Sequence, residues 1–129
     1  MKNILKVLSV SLLLSFYCCK TSKNVSVNDE LFSIKRLKSN MSTTLTLEAY
    51  DYNSKEKIGG FVEVNNVYVN FKYENNDFPP IVLDVKPENE FDISFHFVGS
   101  KSNTIKKVKV VKKDSIIIKA YLKNDDIID

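Results

Sequence analysis

From Thr44 onward, apolar and polar side chains alternate, the pattern of strands with one buried face. Leu45, Leu47 and Ala49 fall on one side, Thr44, Thr46, Glu48 and Tyr50 on the other. Asn53-Ser54-Lys55-Glu56-Lys57 and Gly59-Gly60 read as a turn region, and Phe61-Val62-Glu63-Val64 as a short strand. Asn65-Asn66 behind it suits a tight hairpin turn, because asparagine tolerates left-handed backbone. Val67, Val69, Phe71 and Tyr73 then share a face, and Glu74-Asn75-Asn76-Asp77 turns the chain ahead of Pro79-Pro80. Ile81, Leu83 and Val85 alternate with Val82, Asp84 and Lys86. Phe91, Ile93, Phe95 and Phe97 form the cleanest apolar stripe, opposite Asp92, Ser94 and His96. Thr104–Val111 predicts another strand, and Ile116, Ile118, Ala120 and Leu122 line the last core face. The expectation is all-β: about seven short antiparallel strands, joined by short turns and packed as a two-sheet sandwich over 44–123, with a polar tail at 124–129.

The segment before Thr44 has a different texture. Residues 20–43 are polar and rich in Ser, Asn and Lys. Leu31, Ile34 and Leu37 have helical spacing behind Asn28-Asp29, a plausible helix cap. The piece Leu31-Phe32-Ser33-Ile34 reads equally well as a short strand. This segment is expected to be a tether with one weak element. Residues 1–17 begin with Lys2 and Lys6 and carry an eleven-residue apolar run, Val7 to Tyr17. A membrane span needs about 20 such residues, whereas an export signal core needs about 7–15. Cys18-Cys19 and a polar stretch follow directly.

A cysteine abutting a short apolar core resembles the lipobox of bacterial lipoproteins. In that family the first mature residue is a cysteine diacylated on sulfur, and the signal peptide is cut just before it. The resemblance covers about the first twenty residues and implies a signal peptide at 1–17, with the lipidated cysteine and tether at 18–43. Either Cys18 or Cys19 fits the acyl-bearing position. Ser15-Phe16-Tyr17 precede Cys18, where the family prefers small residues; a cut before Cys19 places small Cys18 there but leaves Phe16 and Tyr17 upstream. An ordinary secretory signal and an uncleaved anchor are the other readings of this stretch. Acyl anchoring implies palmitate-type lipidation, a membrane partner reached through that covalent lipid, and residence in a bacterial envelope, at the outer membrane.

Composition narrows the chemistry. The 129 residues include 19 Lys+Arg, 16 Asp+Glu, one His, two Cys and no Trp. One histidine excludes multi-histidine metal sites, and two adjacent cysteines build neither a zinc cluster nor a disulfide framework. Three glycines leave no glycine-rich phosphate loop. Removing Lys2 and Lys6 with the signal leaves 17 basic against 16 acidic side chains, so the basic balance belongs partly to the signal. The run Lys106-Lys107, Lys109, Lys112-Lys113 alternates faces on a strand and suits a solvated edge better than a nucleic-acid surface. No nucleic-acid partner, metal or other cofactor is expected.

A second resemblance lies in the domain. Asp92 to Gly99, a polar turn, Ile105–Val111, and Asp114 to Leu122 look like the end of the carboxypeptidase-regulatory-like domain. That domain is a transthyretin-like sandwich of seven strands found in exported bacterial proteins. Leu45–Asp51, Ile58-Gly59-Gly60 and Val62-Glu63-Val64 resemble its opening strand, glycine-containing turn and second strand. The chain departs from it at Asn75–Pro80, which lacks glycine, and at Ser100, where an aromatic commonly follows the glycine. A general immunoglobulin-like sandwich also accommodates these strands. The resemblance implies a non-catalytic accessory module.

Candidate chemistry is sparse. Asp92, Ser94 and His96 share a strand face, but alternate residues lie about 6.6–6.8 Å apart, too far for an aligned relay. Asn75-Asn76-Asp77 lacks the alternating acids and closing glutamate of a calcium loop. The outward tyrosines Tyr50, Tyr52, Tyr68 and Tyr121 could serve as a binding face, since tyrosine is favoured at interfaces; cross-strand packing on a sheet explains them equally well. The expected role is a structural or binding module at the envelope, without catalytic residues. A recognition module for glycan or protein, and a small hydrolase with an unrecognised site, are the alternatives.

Overall fold

The computed structural model describes residues 25–28 and 30–125. The expected signal peptide at 1–17, the lipidation candidates Cys18 and Cys19, and the last residues of the polar tail lie outside the described residues. Nine strands and no helix occur among the described residues: β1 (Val25–Asn28), β2 (Phe32–Lys38), β3 (Thr44–Asp51), β4 (Phe61–Val64), β5 (Val67–Asn70), β6 (Ile81–Asp84), β7 (Glu90–His96), β8 (Asn103–Lys109) and β9 (Asp114–Leu122). One sheet has the order β1-β2-β9-β3-β6 and the other β5-β4-β7-β8, forming a sandwich. The seven strands expected from Thr44 onward are β3 to β9.

Period-two patterning sets the core. Leu45, Leu47, Ala49, Ile116, Ile118, Ala120 and Leu122 from the five-stranded sheet meet Val62, Val64, Ile93, Phe95, Ile105 and Val108 from the other. Asn65 and Asn66 both have positive φ, 47° and 65°, the requirement of the two-residue β4–β5 hairpin. Asn75 and Asn76, at 52° and 60°, make a second such turn between Glu74 and Asp77. Asp77 and Glu74 exchange both backbone hydrogen bonds across it.

The fold departs from the sequence expectation at four places. First, Phe32–Lys38 is a full strand that pairs along its length with β9, and β1 pairs with it in turn. Phe32 and Ile34 pack on the core, but the next two inward positions hold Arg36 and Lys38. They sit at the rim, where they flank the buried carboxylate of Asp114: Lys38 Nζ lies 2.6 Å from Oδ1 and Arg36 Nη1 3.6 Å from Oδ2. The charges break the apolar alternation, so this part of the expected tether conceals a strand. Second, β3 and β9 run parallel, in register from Thr44↔Ser115 to Asp51↔Leu122. These strands are far apart in sequence, so no hairpin forces them antiparallel.

Third, the stripe expected from Phe91 to Phe97 is broken at both ends. Ile93 and Phe95 are fully buried, Phe91 packs half-buried on the core, and Phe97 is 39% exposed. The strand stops at His96, and a turn closed by Ser100 N donating to Phe97 O carries Phe97 off the core. Near the other end, Lys106 and Lys107 together oppose Asp92, a bulge in which Lys107 takes a φ of 57° and donates its N–H to Asp92 Oδ1. Fourth, Val67 and Tyr73 are exposed although Phe71 is buried. β5 is an edge strand ending at Asn70, and Tyr73 leaves the sheet to pack against Phe78, ring centroids 5.0 Å apart.

Candidate functional site

Two aromatic patches lie on opposite outer faces of the sandwich. On the five-stranded sheet, parallel registry sets Tyr50 beside Tyr121, with ring centroids 5.6 Å apart. Tyr52 follows β3 and is held there by its N–H donating to Leu122 O. Asp51 shapes the next turn, its carboxylate accepting from Asn53 N at 3.0 Å and Ser54 N at 2.7 Å. These bonds hold the Asp51 carboxyl below its ordinary range, with the Ser54 backbone donor the largest cause. The turn ends at Lys55, φ 61°, whose ammonium lies 4.1 Å from the Tyr52 ring centre and 4.8 Å from that of Tyr121. Lys123 lies over Tyr52 at 4.5 Å and Lys119 over Tyr50 at 5.9 Å, so three ammonium groups cover three rings.

The phenols are tied to carboxylates. Tyr50 donates to Glu48 Oε2 at 2.7 Å and Tyr52 to Glu30 Oε1 at 2.6 Å. Burial, then the bond to Glu48, raises the Tyr50 pKa. The bond to Glu30 raises that of Tyr52. Glu30 is itself held low, first by its hydrogen bond from Lys123, 2.6 Å, then by Tyr52. The rings are therefore held in place with lysine ammonium groups over their faces, so a ligand stacking there would have to displace a lysine.

Tyr68 is on the other sheet. It packs edge-on against Phe61 at 5.6 Å, and Phe61 stacks on His96 at 4.7 Å. The four tyrosines singled out in the sequence thus divide: three share one face, and the fourth belongs to a separate patch. Asp92, Ser94 and His96 form no relay. Asp92 caps the bulge, Ser94 bonds Thr104 at 2.8 Å, and His96 Nδ1 meets Ser102 Oγ at 2.7 Å. Glu63 Oε2 lies 3.6 Å from His96 Nε2, a nitrogen shielded from solvent and without a hydrogen-bond partner among the described residues.

Ser102, His96 and Glu63 thus stand in the order of a nucleophile, a base and a carboxylate, a grouping sequence reasoning missed. Its members come from β4, β7 and the loop after β7, so no local spacing signals it. A groove of about 290 Å³ opens between the sheet edges β5 and β6, lined in part by Val69, Lys72, Pro79, Ile81 and Leu83. That is at the small end for ligand pockets. Among the described residues, no three His, Cys, Asp or Glu side chains converge on a point where a metal could bind. Comparison with family models, curated proteins and solved structures finds no match.

Proposed function

We propose that the chain is a lipid-anchored protein of a bacterial envelope, and that its β-sandwich acts there as a non-catalytic structural or binding module. The observation that carries this reading is the junction at Cys18-Cys19. An apolar core too short to span a membrane meets two cysteines, and the first strand of the sandwich begins only a few residues later, at Val25. One acyl chain gives marginal membrane binding and two give stable anchoring, so a diacylated cysteine would keep the domain at a surface. The carboxypeptidase-regulatory-like assignment is part of the proposal, supported by seven strands that follow the resembling segments. Recognition of glycan or protein would use Tyr50, Tyr52 and Tyr121; Tyr68 would need a ligand on the opposite face.

Metabolic labelling with a clickable palmitate tests the anchor in the wild type, Cys18→Ser, Cys19→Ser and the double variant. Label lost in one single variant identifies the acylated residue. An unlabelled, soluble wild type refutes the anchor. The hydrolase alternative has one observation in its favour, the Ser102–His96 bond with Glu63 beyond it. Its test is a serine-directed fluorophosphonate: labelling abolished by Ser102→Ala supports a hydrolase, and an unlabelled wild type removes it.

A further inference from the structure

Strand direction fixes which end of the sandwich the N-terminal segment enters. Val25 pairs with Arg36, which pairs with Ile116 near the start of β9. The chain therefore arrives at the end formed by the loops 39–43, 85–89 and 110–113. These loops are sewn together: Ser39 N donates to Lys113 O, Val85 N to Thr43 O, Glu88 N to Val110 O, and Lys113 N to Thr43 Oγ1. They carry the exposed cations Lys86, Lys112 and Lys113; the loop anion Glu88 lies 3.7 Å from Lys109, and exposed Asp84 and Glu90 stand at the strand ends on either side of its loop. At the tip of the first loop Met41 is 93% exposed. A protruding apolar side chain within a basic rim is the chemistry of an anionic bilayer surface.

We propose that this end is a second, non-covalent contact with the membrane: Met41 enters the headgroup layer, and Lys86, Lys112 and Lys113 meet anionic phospholipid. The proposal rests on the anchor at Cys18 or Cys19. Six residues, 19–24, separate Cys18 from Val25, and the seven steps between the two Cα atoms span at most about 25 Å. The opposite end also shows an apolar tip, Val98 at 94% exposure. From the level of Ile116 to that of Leu122, however, β9 climbs about 20 Å. Turning that end to the bilayer would stretch the linker nearly to its limit, whereas the basic end meets the bilayer with slack to spare. Loop charge agrees, because Lys55, Lys57, Lys72 and Lys101 at the far end are interspersed with Glu56, Glu74, Asp77 and Asp125.

The test uses the full chain as isolated, with its intact mass recorded, so that presence or absence of an acyl chain is known independently. The protein is added to vesicles of phosphatidylcholine alone or with about one-third phosphatidylglycerol, and its lysines are labelled with a neutral amine reagent. The expected result is protection of Lys86, Lys112 and Lys113 by about five-fold or more in anionic vesicles, with Lys55 and Lys72 unchanged and the protection lost at high salt. A variant carrying Lys86→Glu, Lys112→Glu and Lys113→Asn should lose the difference while keeping the wild-type circular dichroism; asparagine suits the φ of 64° at 113. Equal labelling of the two ends, or protection centred on Lys55 and Lys72, overturns the proposal whether or not lipid is attached. Salt-sensitive binding of an unacylated chain through these three lysines would keep the surface and refute the anchor.

Discussion

Gly60 has a φ of 92°, and a Cβ built there would sit 2.1 Å from the His96 carbonyl oxygen. Gly99, at 80°, has open space around it. Both substitutions to alanine meet backbone strain of about 1–3 kcal/mol, but only Gly60→Ala also drives β4 away from β7. In urea melts, Gly60→Ala is expected to lose clearly more stability than Gly99→Ala; equal losses would mean the β4–β7 approach is looser. Tyr50 makes a pH-dependent prediction. Its folded pKa is raised above the ordinary 10.0, so the folded state holds the proton more tightly than the unfolded chain. The resulting stabilisation is full below pH 10 and is lost as pH rises through the higher folded value. Tyrosinate absorbance of the wild type minus that of Tyr50→Phe should stay flat across pH 10 while the protein is folded; a phenol-sized step there would contradict the bond to Glu48. What was legible at this scale were the turn asparagines and the glycine pair. Lys107 and Lys113 at positive φ were not, because a bulge sealed by Asp92 and loops tied to Thr43 impose what lysine alone does not favour.

At the level of the strand, β2 shows how a pattern is hidden. Its inward positions pass from Phe32 and Ile34 to Arg36 and Lys38, which serve Asp114 at the rim. The two cations are partly exposed, 34% and 54% at the side chain, and the carboxylate only 5%. Removing the acid frees cations that can reach water; removing the cations strands a buried charge. Arg36→Met with Lys38→Met should therefore cost about 3–5 kcal/mol, more than Asp114→Asn, and the reverse ranking in chemical denaturation would show the carboxylate to be solvated. β7 tests the core. Phe95 is fully buried, and Phe95→Ala should cost about 3–5 kcal/mol, enough to threaten a small domain. Strand β3, and β9 from Ile116 onward, were legible because the inward positions there are apolar. The end of β7 was not, because Phe97 continues the alternation beyond the point where the strand stops.

Across the whole molecule, Asn103 fastens β8 to the first sheet: its Nδ2 donates to Leu31 O at 3.1 Å and Tyr121 O at 3.0 Å. Tyr121 N donates in turn to Leu31 O, so the entry to β2, the end of β9 and the start of β8 meet at one buried amide. The tyrosine face was legible as residues but not as a site, because Tyr50 and Tyr121 are neighbours only through the parallel pairing of distant strands. Pairing of β2 with β9 also has a functional consequence. With β1 paired to β2 in turn, the sandwich begins at Val25, so the leash from an acylated Cys18 or Cys19 would be short, and the domain would be held close to the lipid rather than projected from it.

Hydrogen exchange of the full chain measures this point most directly. The amides of Ile34 to Lys38 that pair with β9 are expected to exchange as slowly as those of β3, in one cooperative unit that opens with the domain. Exchange of β2 at unprotected rates, with β3 and β9 still protected, would contradict the account and return those residues to a long, free tether.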